Sequence, residues 1–145
     1  MPRVFFTGAS GEIGRVLLPL LEKKHEIFAL CRGPLPLTLQ NHSNVTWVHG
    51  DLENVKTFAF MLKGIDIVIH LGALTNSIDA KKLMRVNVEG TLQLVHAAQK
   101  AGCKKILIAS TAAVTQEYLT PYARSKKKME EELASFSLPQ LIVRP

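Results

Sequence analysis

Six short runs rich in apolar, β-branched and aromatic residues recur along the chain, and each is separated from the next by a longer stretch. We predict these runs to be strands: Arg3–Phe6, Glu26–Cys31, Val45–Val48, Ile65–Leu71, Lys105–Ala109 and Leu138–Arg144. Most of the intervening stretches carry apolar residues at helical spacing. Strands that alternate with helices in this way build a doubly wound parallel sheet of the α/β class. The alternation excludes an all-helical fold.

Four of the intervening stretches are predicted to be helical. They are Gly11–Lys24, Glu53–Lys63, Asp79–Ala101 and Pro121–Phe136. Gly102 directly follows the third, where a glycine commonly ends a helix, and Pro121 opens the fourth, where proline suits the first turn. Residues 33–44 contain two prolines and several polar residues, which predicts a loop.

Composition sets the broad class of the protein. The 145 residues suit one domain, with 47% hydrophobic and 21% charged residues, and no apolar run approaches the ~20 residues that cross a bilayer. The amino terminus lacks a signal-peptide layout. Cys31 and Cys103 are isolated and lack metal-ligand spacing, which is typical of a reducing compartment. We therefore expect a single domain over residues 1–145, located in the cytoplasm, with no metal and no membrane contact.

The formal net charge of +6 favours an anionic partner, either nucleic acid or a phosphorylated small molecule. Apart from Lys126-Lys127-Lys128, the basic residues are spread over the whole chain. No basic stripe with interleaved aromatic residues is present, and such a stripe is typical of nucleic-acid binding. We therefore expect a small-molecule substrate and no nucleic-acid partner.

Three glycines lie between the first strand and the first helix, in the segment Thr7-Gly8-Ala9-Ser10-Gly11-Glu12-Ile13-Gly14. A strand, a glycine turn and a helix form the front of a dinucleotide-binding βαβ unit. Glycines let the backbone approach a pyrophosphate, and the free N–H groups of the first helical turn face that anion. The spacing Gly-x-x-Gly-x-x-Gly differs from the common fingerprint, so by itself a plain structural turn stays open.

In a doubly wound sheet, ligands bind at the carboxyl ends of the strands. Each predicted strand therefore nominates the residues that follow it. These are the three glycines, Arg32, Asp51, Gly72-Ala73 and Ser110-Thr111.

Tyr122 and Lys126 are four residues apart at the start of the last predicted helix, so their side chains share one face. A neighbouring ammonium favours phenolate, and we expect it to lower the pKa of Tyr122. Tyr122 could then exchange a proton with a substrate hydroxyl or carbonyl while hydride moves to or from a nicotinamide. The alternative is a tyrosine and a lysine on a solvated helix face.

Several motifs in order along the chain resemble the amino-terminal part of the extended short-chain dehydrogenases/reductases, the NAD-dependent epimerase/dehydratase group. The matching segments are residues 7–14, Gly50-Asp51-Leu52, His70-Leu71-Gly72-Ala73, Asn87-Val88-Glu89-Gly90-Thr91, Ser110-Thr111-Ala112-Ala113-Val114, Tyr122-Ala123-Arg124-Ser125-Lys126 and Arg144-Pro145. The resemblance implies a Rossmann fold that binds NAD(P) over residues 1–145. It also implies that the substrate-binding region lies past Pro145.

The resemblance also implies roles for individual residues. The cofactor-binding residues are Gly8, Ser10, Gly11, Glu12, Ile13, Gly14, Arg32, Asp51, Leu52, Leu71, Gly72, Ala73, Tyr122 and Lys126, and the catalytic residues are Thr111, Tyr122, Lys126 and Asn87. Ser110 is the second choice for the catalytic hydroxyl. Asp51 has an alternative role as a helix N-cap, and Asn87 has one as a buried polar residue that the backbone satisfies. Thr115-Gln116 departs from the family pattern, which has an aromatic-Gly pair there.

The choice between NAD and NADP depends on the end of the second strand. An NAD site places Asp or Glu there for the ribose hydroxyls, but the chain has no acidic residue between Glu26 and Asp51. Arg32 stands where the 2′-phosphate of NADP would lie, and a guanidinium binds such an anion bidentately. We therefore predict a preference for NADP, with a solvated surface arginine as the alternative.

We predict an NAD(P)-dependent oxidoreductase that acts on a nucleotide-sugar or on a carbonyl or alcohol compound. The alternatives are a non-catalytic NAD(P)-binding module and an inactive fragment of such an enzyme. Members of the family often pair through the helices that begin here near Asp79 and Pro121, so the resemblance also implies a possible homodimer.

Overall fold

The computed structural model describes residues 1–145 and contains one six-stranded parallel sheet. Its strands are β1 (Arg3–Thr7), β2 (Glu26–Cys31), β3 (Val45–His49), β4 (Ile67–His70), β5 (Lys105–Ala109) and β6 (Gln140–Val143). Their order across the sheet is β3-β2-β1-β4-β5-β6. The chain therefore reverses direction across the sheet between β1 and β4, which is the place where doubly wound sheets bind ligands. The predicted fold class is confirmed.

Four α-helices connect or flank the strands: α1 (Glu12–Leu21), α2 (Ala80–Leu83), α3 (Thr91–Ala101) and α4 (Pro121–Leu133). A π-helical turn, Met84–Gly90, joins α2 to α3 with helical backbone angles at both junctions, so residues 80–101 form one rod. The Asp79 side chain caps its start, and Gly102, with φ of 84°, ends it as predicted. None of these helices combines the length and the apolar character that crossing a membrane requires.

The core has two parts, one on each face of the sheet. The larger part lies between the sheet and the helices at 80–101 and 121–133, and the smaller lies under α1. In α1 the fully buried large side chain is Leu18, whereas Val16 and Leu20 are 65% and 57% exposed. The apolar spacing therefore predicted the helix correctly, but it predicted the buried face only in part.

Residues 52–62 do not form the helix that the sequence predicts over Glu53–Lys63. Two 3₁₀ segments, Leu52–Thr57 and Ala59–Leu62, take its place. The first segment is itself broken at Asn54, whose φ of −142° and ψ of 66° are not helical, so the buried Leu52 and Val55 lie on two separate turns. Phe58 stacks on Phe5 with ring centroids 5.7 Å apart, so packing against the sheet favours the tighter turns.

Candidate functional site

A cavity of about 670 Å³ opens at the carboxyl ends of β1 to β5. Its volume lies in the range of about 300–1,000 Å³ that small-molecule sites occupy. Every residue that the sequence nominated for the site lines this cavity, with the exception of Asn87. Wall residues that the sequence analysis did not nominate include Thr75, Asn76 and Val86. Thr75 and Asn76 follow the predicted Gly72-Ala73 with only Leu74 between them, so a longer exit segment after β4 would have included them.

A backbone hydrogen bond closes the glycine turn after β1, and the first N–H groups of α1 are left without side-chain partners. The N–H of Gly11 donates to the carbonyl of Gly8 at 3.1 Å. Gly8 has φ of 79°, and a Cβ there would lie 2.7 Å from the backbone nitrogen of Gly72. At the start of α1, Gly11 is the N-cap and supplies no side-chain hydrogen bond. The first-turn N–H groups of α1, at the cavity wall, therefore suit an anionic group such as a pyrophosphate.

Side chains that follow β2 and β3 also line the cavity. Arg32 is exposed and makes no ion pair, so its guanidinium is available to an anion. Asp51 lines the cavity and also caps the first 3₁₀ segment, because its Oδ1 accepts from the N–H of Glu53 at 2.9 Å. The N-cap alternative for Asp51 is therefore correct.

A buried hydrogen-bond chain supports the wall after β4. The N–H of Gly72 donates to Thr7 Oγ1 at 3.0 Å, and Thr7 Oγ1 lies 2.6 Å from His70 Nδ1. On its other side, His70 Nε2 lies 2.8 Å from Thr91 Oγ1. Complete burial lowers the pKa of His70 to about 3, so the imidazole is neutral. The sequence indicated His70 as part of a motif but did not predict this supporting role.

Tyr122 and Lys126 both line the cavity from the first turns of α4, as their spacing predicts. Thr120 fixes the start of the helix, because its Oγ1 accepts from the N–H of Ala123 at 3.1 Å. Lys126 is only 2% exposed and has no hydrogen bond or ion pair. Burial lowers the pKa of Lys126 to about 8, although the nearby Glu130 carboxylate opposes this change.

The expected effect of Lys126 on Tyr122 is wrong. Burial raises the pKa of Tyr122 above its usual value, and Lys126 does not reverse this change. Both groups are withdrawn from water, and desolvation disfavours the charged form of each. Tyr122 is therefore a protonated phenol at neutral pH.

Two hydroxyl groups follow β5 at the cavity wall. Thr111 Oγ1 accepts from the N–H of Ala113 at 3.3 Å and caps a 3₁₀ turn at Ala112–Thr115. The hydroxyl proton of Thr111 therefore stays free to donate. The Ser110 hydroxyl is buried and has no hydrogen-bond partner. The Thr111 side chain is thus anchored to the backbone of this turn.

Asn87 lies in the π-helical turn and is buried outside the cavity wall. Its Oδ1 accepts from the N–H of Leu74 at 2.8 Å, and its Nδ2 donates to the carbonyl of Leu74 and to Ser125 Oγ. The Ser125 hydroxyl in turn donates to the carbonyl of Tyr122 at 2.7 Å. Asn87 therefore connects the loop after β4 to α4. Its bonding is that of the alternative stated above, a buried polar residue whose hydrogen bonds the backbone satisfies.

The strand order, with a glycine turn at the point where it reverses, is that of a dinucleotide-binding domain of the Rossmann type. A family model described as NAD(P)H-binding matches residues 8–145. The chain belongs to this NAD(P)H-binding family.

Individual relatives agree with this assignment. The chain is 36% identical over 121 residues to a 3-beta-hydroxysteroid dehydrogenase of Mycolicibacterium neoaurum, covering 77% of this chain and 32% of that protein. It is 32% identical over 143 residues to a ceramide reductase of Caulobacter vibrioides, covering 98% and 45%. The structure of MoeE5 in complex with UDP-glucose and NAD superposes with a TM-score of 0.78 at 26% identity, covering 97% and 52%. The chain thus spans about a third to a half of the length of these relatives.

Proposed function

We propose that this chain is the cofactor-binding part of an NADP-dependent oxidoreductase that reduces a carbonyl compound. One observation carries the proposal. The buried Lys126 ammonium has no protein partner, and it shares a cavity with the uncapped start of α1. A buried cation without a partner is costly, and a bound polar ligand would remove much of that cost.

The residues of the cavity fit a dinucleotide along its length. The first turn of α1 would hold the pyrophosphate, and Arg32 would bind the 2′-phosphate of NADP. Asp51 and Leu52 would contact the adenine, while Leu71, Gly72 and Ala73 would line the cofactor where small groups are needed. Lys126 would donate to hydroxyls of the nicotinamide ribose. When bound, the nicotinamide supplies the hydride.

The remaining side chains would handle the substrate carbonyl. Thr111 is anchored at the wall and would donate a hydrogen bond to the carbonyl oxygen. Tyr122 is protonated at neutral pH because burial raises its pKa, so it would give a proton to that oxygen as the hydride arrives. Its protonated state favours the direction of reduction over that of alcohol oxidation.

A nucleotide-sugar epimerase or dehydratase is the alternative enzyme class. Such enzymes retain NAD, for which an acidic residue at the end of β2 is suited, whereas Arg32 stands there. A binding module without turnover is a second candidate function. It is favoured by one observation, because no hydrogen bond links the Tyr122 hydroxyl to Lys126 or to Thr111.

The free, buried thiols of Cys31 and Cys103 support a reducing compartment, and we place the chain in the cytoplasm. The partner is a small molecule. A homodimer through the helices at 80–101 and 121–133 stays a prediction. The outer faces of these helices are polar because their apolar residues pack in the core.

Cofactor affinity of an Arg32→Asp variant tests the proposal. Loss of a charge-assisted contact to the 2′-phosphate is expected to weaken NADPH binding by about 10- to 100-fold, while NADH binding changes much less. Calorimetric titration with both cofactors measures this difference. Arg124→Asp is the matched control, because it makes the same charge change at an exposed residue outside the cavity wall. An equal loss for NADPH and NADH would contradict the role of Arg32.

A further inference from the structure

Glu130 lies one helical turn after Lys126 on α4, and its carboxylate is largely covered. Only 13% of its side chain is exposed. Arg144, just after β6, binds the carboxylate bidentately, with Nε donating to Oε1 at 3.0 Å and Nη2 donating to Oε2 at 2.7 Å. Such a fork fixes both the place and the direction of a carboxylate. Glu130 is therefore held in one position, one helical turn from the cavity-lining Lys126.

The titratable groups around Lys126 come from three elements. Tyr122 and Glu130 lie on α4, His70 lies on β4, and Arg144 follows β6 behind Glu130. His70 and Tyr122 are neutral at pH 7, because burial lowers the pKa of the first to about 3 and raises that of the second. Glu130 is thus the anion among these groups, and it lies one helical turn from the buried ammonium. Side chains four residues apart on a helix are neighbours, so the carboxylate acts on the ammonium through space although no ion pair joins them.

We propose that Glu130 is a positioning residue: its carboxylate is the counter-charge that keeps the Lys126 ammonium protonated in the cavity, and Arg144 holds that carboxylate in place while opposing its charge. The consequence for cofactor binding rests on the proposed function, whereas the effect on the charge of Lys126 does not. A merely structural clasp between α4 and β6 is the competing explanation of the Glu130–Arg144 pair.

Two variants distinguish these explanations, because one removes the negative charge of Glu130 and the other removes the positive charge of Arg144. Glu130→Gln removes the anion and should make Lys126 lose its proton at lower pH. Arg144→Gln removes the cation, while the glutamine amide can still donate one hydrogen bond that holds the carboxylate, so Lys126 should keep its proton to higher pH. A structural clasp predicts that both variants loosen the same junction and move Lys126 in the same direction.

The experiment is an NMR titration of the full chain with ¹³C-labelled lysine, in which the Lys126 side-chain signal is assigned by its loss in Lys126→Arg. We expect a midpoint near pH 8 in the unmodified chain. In Glu130→Gln it should fall by about one pH unit, and in Arg144→Gln it should rise by a smaller amount. Glu131→Gln, an exposed neighbour with the same charge change, should leave it in place.

An unchanged midpoint in Glu130→Gln, or midpoints that move in the same direction in both variants, would overturn the proposal. Should Glu130→Gln fail to fold, as judged by circular dichroism, Arg144→Gln carries the test, because an unchanged or lower midpoint there also overturns it.

NADPH affinity measured against pH in the same variants separates this inference from the proposed function. If Lys126 binds the cofactor, the midpoint of the affinity profile should follow the NMR midpoint in each variant. If the NMR midpoints move as expected but the pH profile of NADPH affinity stays unchanged, the effect of Glu130 on Lys126 is supported and the cofactor role of Lys126 is contradicted. The reverse outcome, in which NADPH binds but Lys126 does not respond to Glu130, would overturn the inference alone.

Discussion

Replacement of Lys126 by methionine should stabilise the chain while it weakens the site. Methionine keeps an unbranched apolar stem of similar reach and removes the charge. Burial lowers the pKa of Lys126 from 10.5 to about 8, and each pH unit corresponds to about 1.4 kcal/mol of free energy. The buried ammonium therefore costs about 3 kcal/mol at pH 7, and Lys126→Met should raise the free energy of unfolding by roughly this amount.

The sign of the pH dependence follows from the same values. Below pH 8 the lysine is charged in both the folded and the unfolded chain, so the full cost of burial is present. Between about pH 8 and 10.5 the folded chain releases the proton first, and the cost decreases. The advantage of Lys126→Met should therefore shrink as the pH rises through this range.

Urea unfolding at pH 7 and at pH 9.5, followed by the fluorescence of the single tryptophan, Trp47, measures both quantities. Lys127→Met is the matched control, because its side chain is exposed and it removes the same charge from the adjacent residue. A Lys126→Met variant that is no more stable than Lys127→Met would refute the reasoning. An advantage that does not shrink at pH 9.5 would refute it as well.

Two other substitutions test the geometry and the chemistry of the cavity. Gly8→Ala should destabilise the chain by about 2–4 kcal/mol, since the left-handed backbone and a close approach to Gly72 both oppose a Cβ. Gly102 has a similar φ of 84° and open space around it, so Gly102→Ala should cost only about 1–2 kcal/mol in urea unfolding, and equal losses would contradict the close-packing argument. Tyr122→Phe should keep NADPH affinity within about twofold and reduce carbonyl turnover by about 10²–10⁴-fold. Tyr118→Phe, at a residue that is 84% exposed, is its control, and retained turnover in Tyr122→Phe would exclude the phenol as the proton donor.

The strands were predictable because each is a short apolar run between turn residues. The bounds of Glu26–Cys31 and Lys105–Ala109 were predicted to the residue, and the topology then followed from the alternation with helices. Residues 52–62 could not be predicted, because the choice between an α-helix and 3₁₀ turns depends on packing against Phe5. The π-helical turn Met84–Gly90 has no local sequence signal either. It ends at Gly90, where a Cβ would lie 2.7 Å from the carbonyl oxygen of Leu52, a contact between distant parts of the chain.

The members of the site were predictable for a topological reason. Parallel strands end at one edge of the sheet, so Arg32, Asp51 and Thr111 meet there although they are far apart in the chain. Their protonation states were not predictable. The spacing of Tyr122 and Lys126 indicated a shared face, but only the folded chain determines how far each is withdrawn from water. The position of Asn87 outside the wall likewise depends on the π-helical turn.

The affinity of the unmodified chain for NADPH and for NADH tests the central claim most directly. Calorimetric titration of residues 1–145 with each cofactor at pH 7 and one salt concentration gives both dissociation constants. A guanidinium that binds the 2′-phosphate predicts that NADPH binds about tenfold more tightly than NADH, or better. Equal affinities for the two cofactors, or binding of neither, would contradict the account.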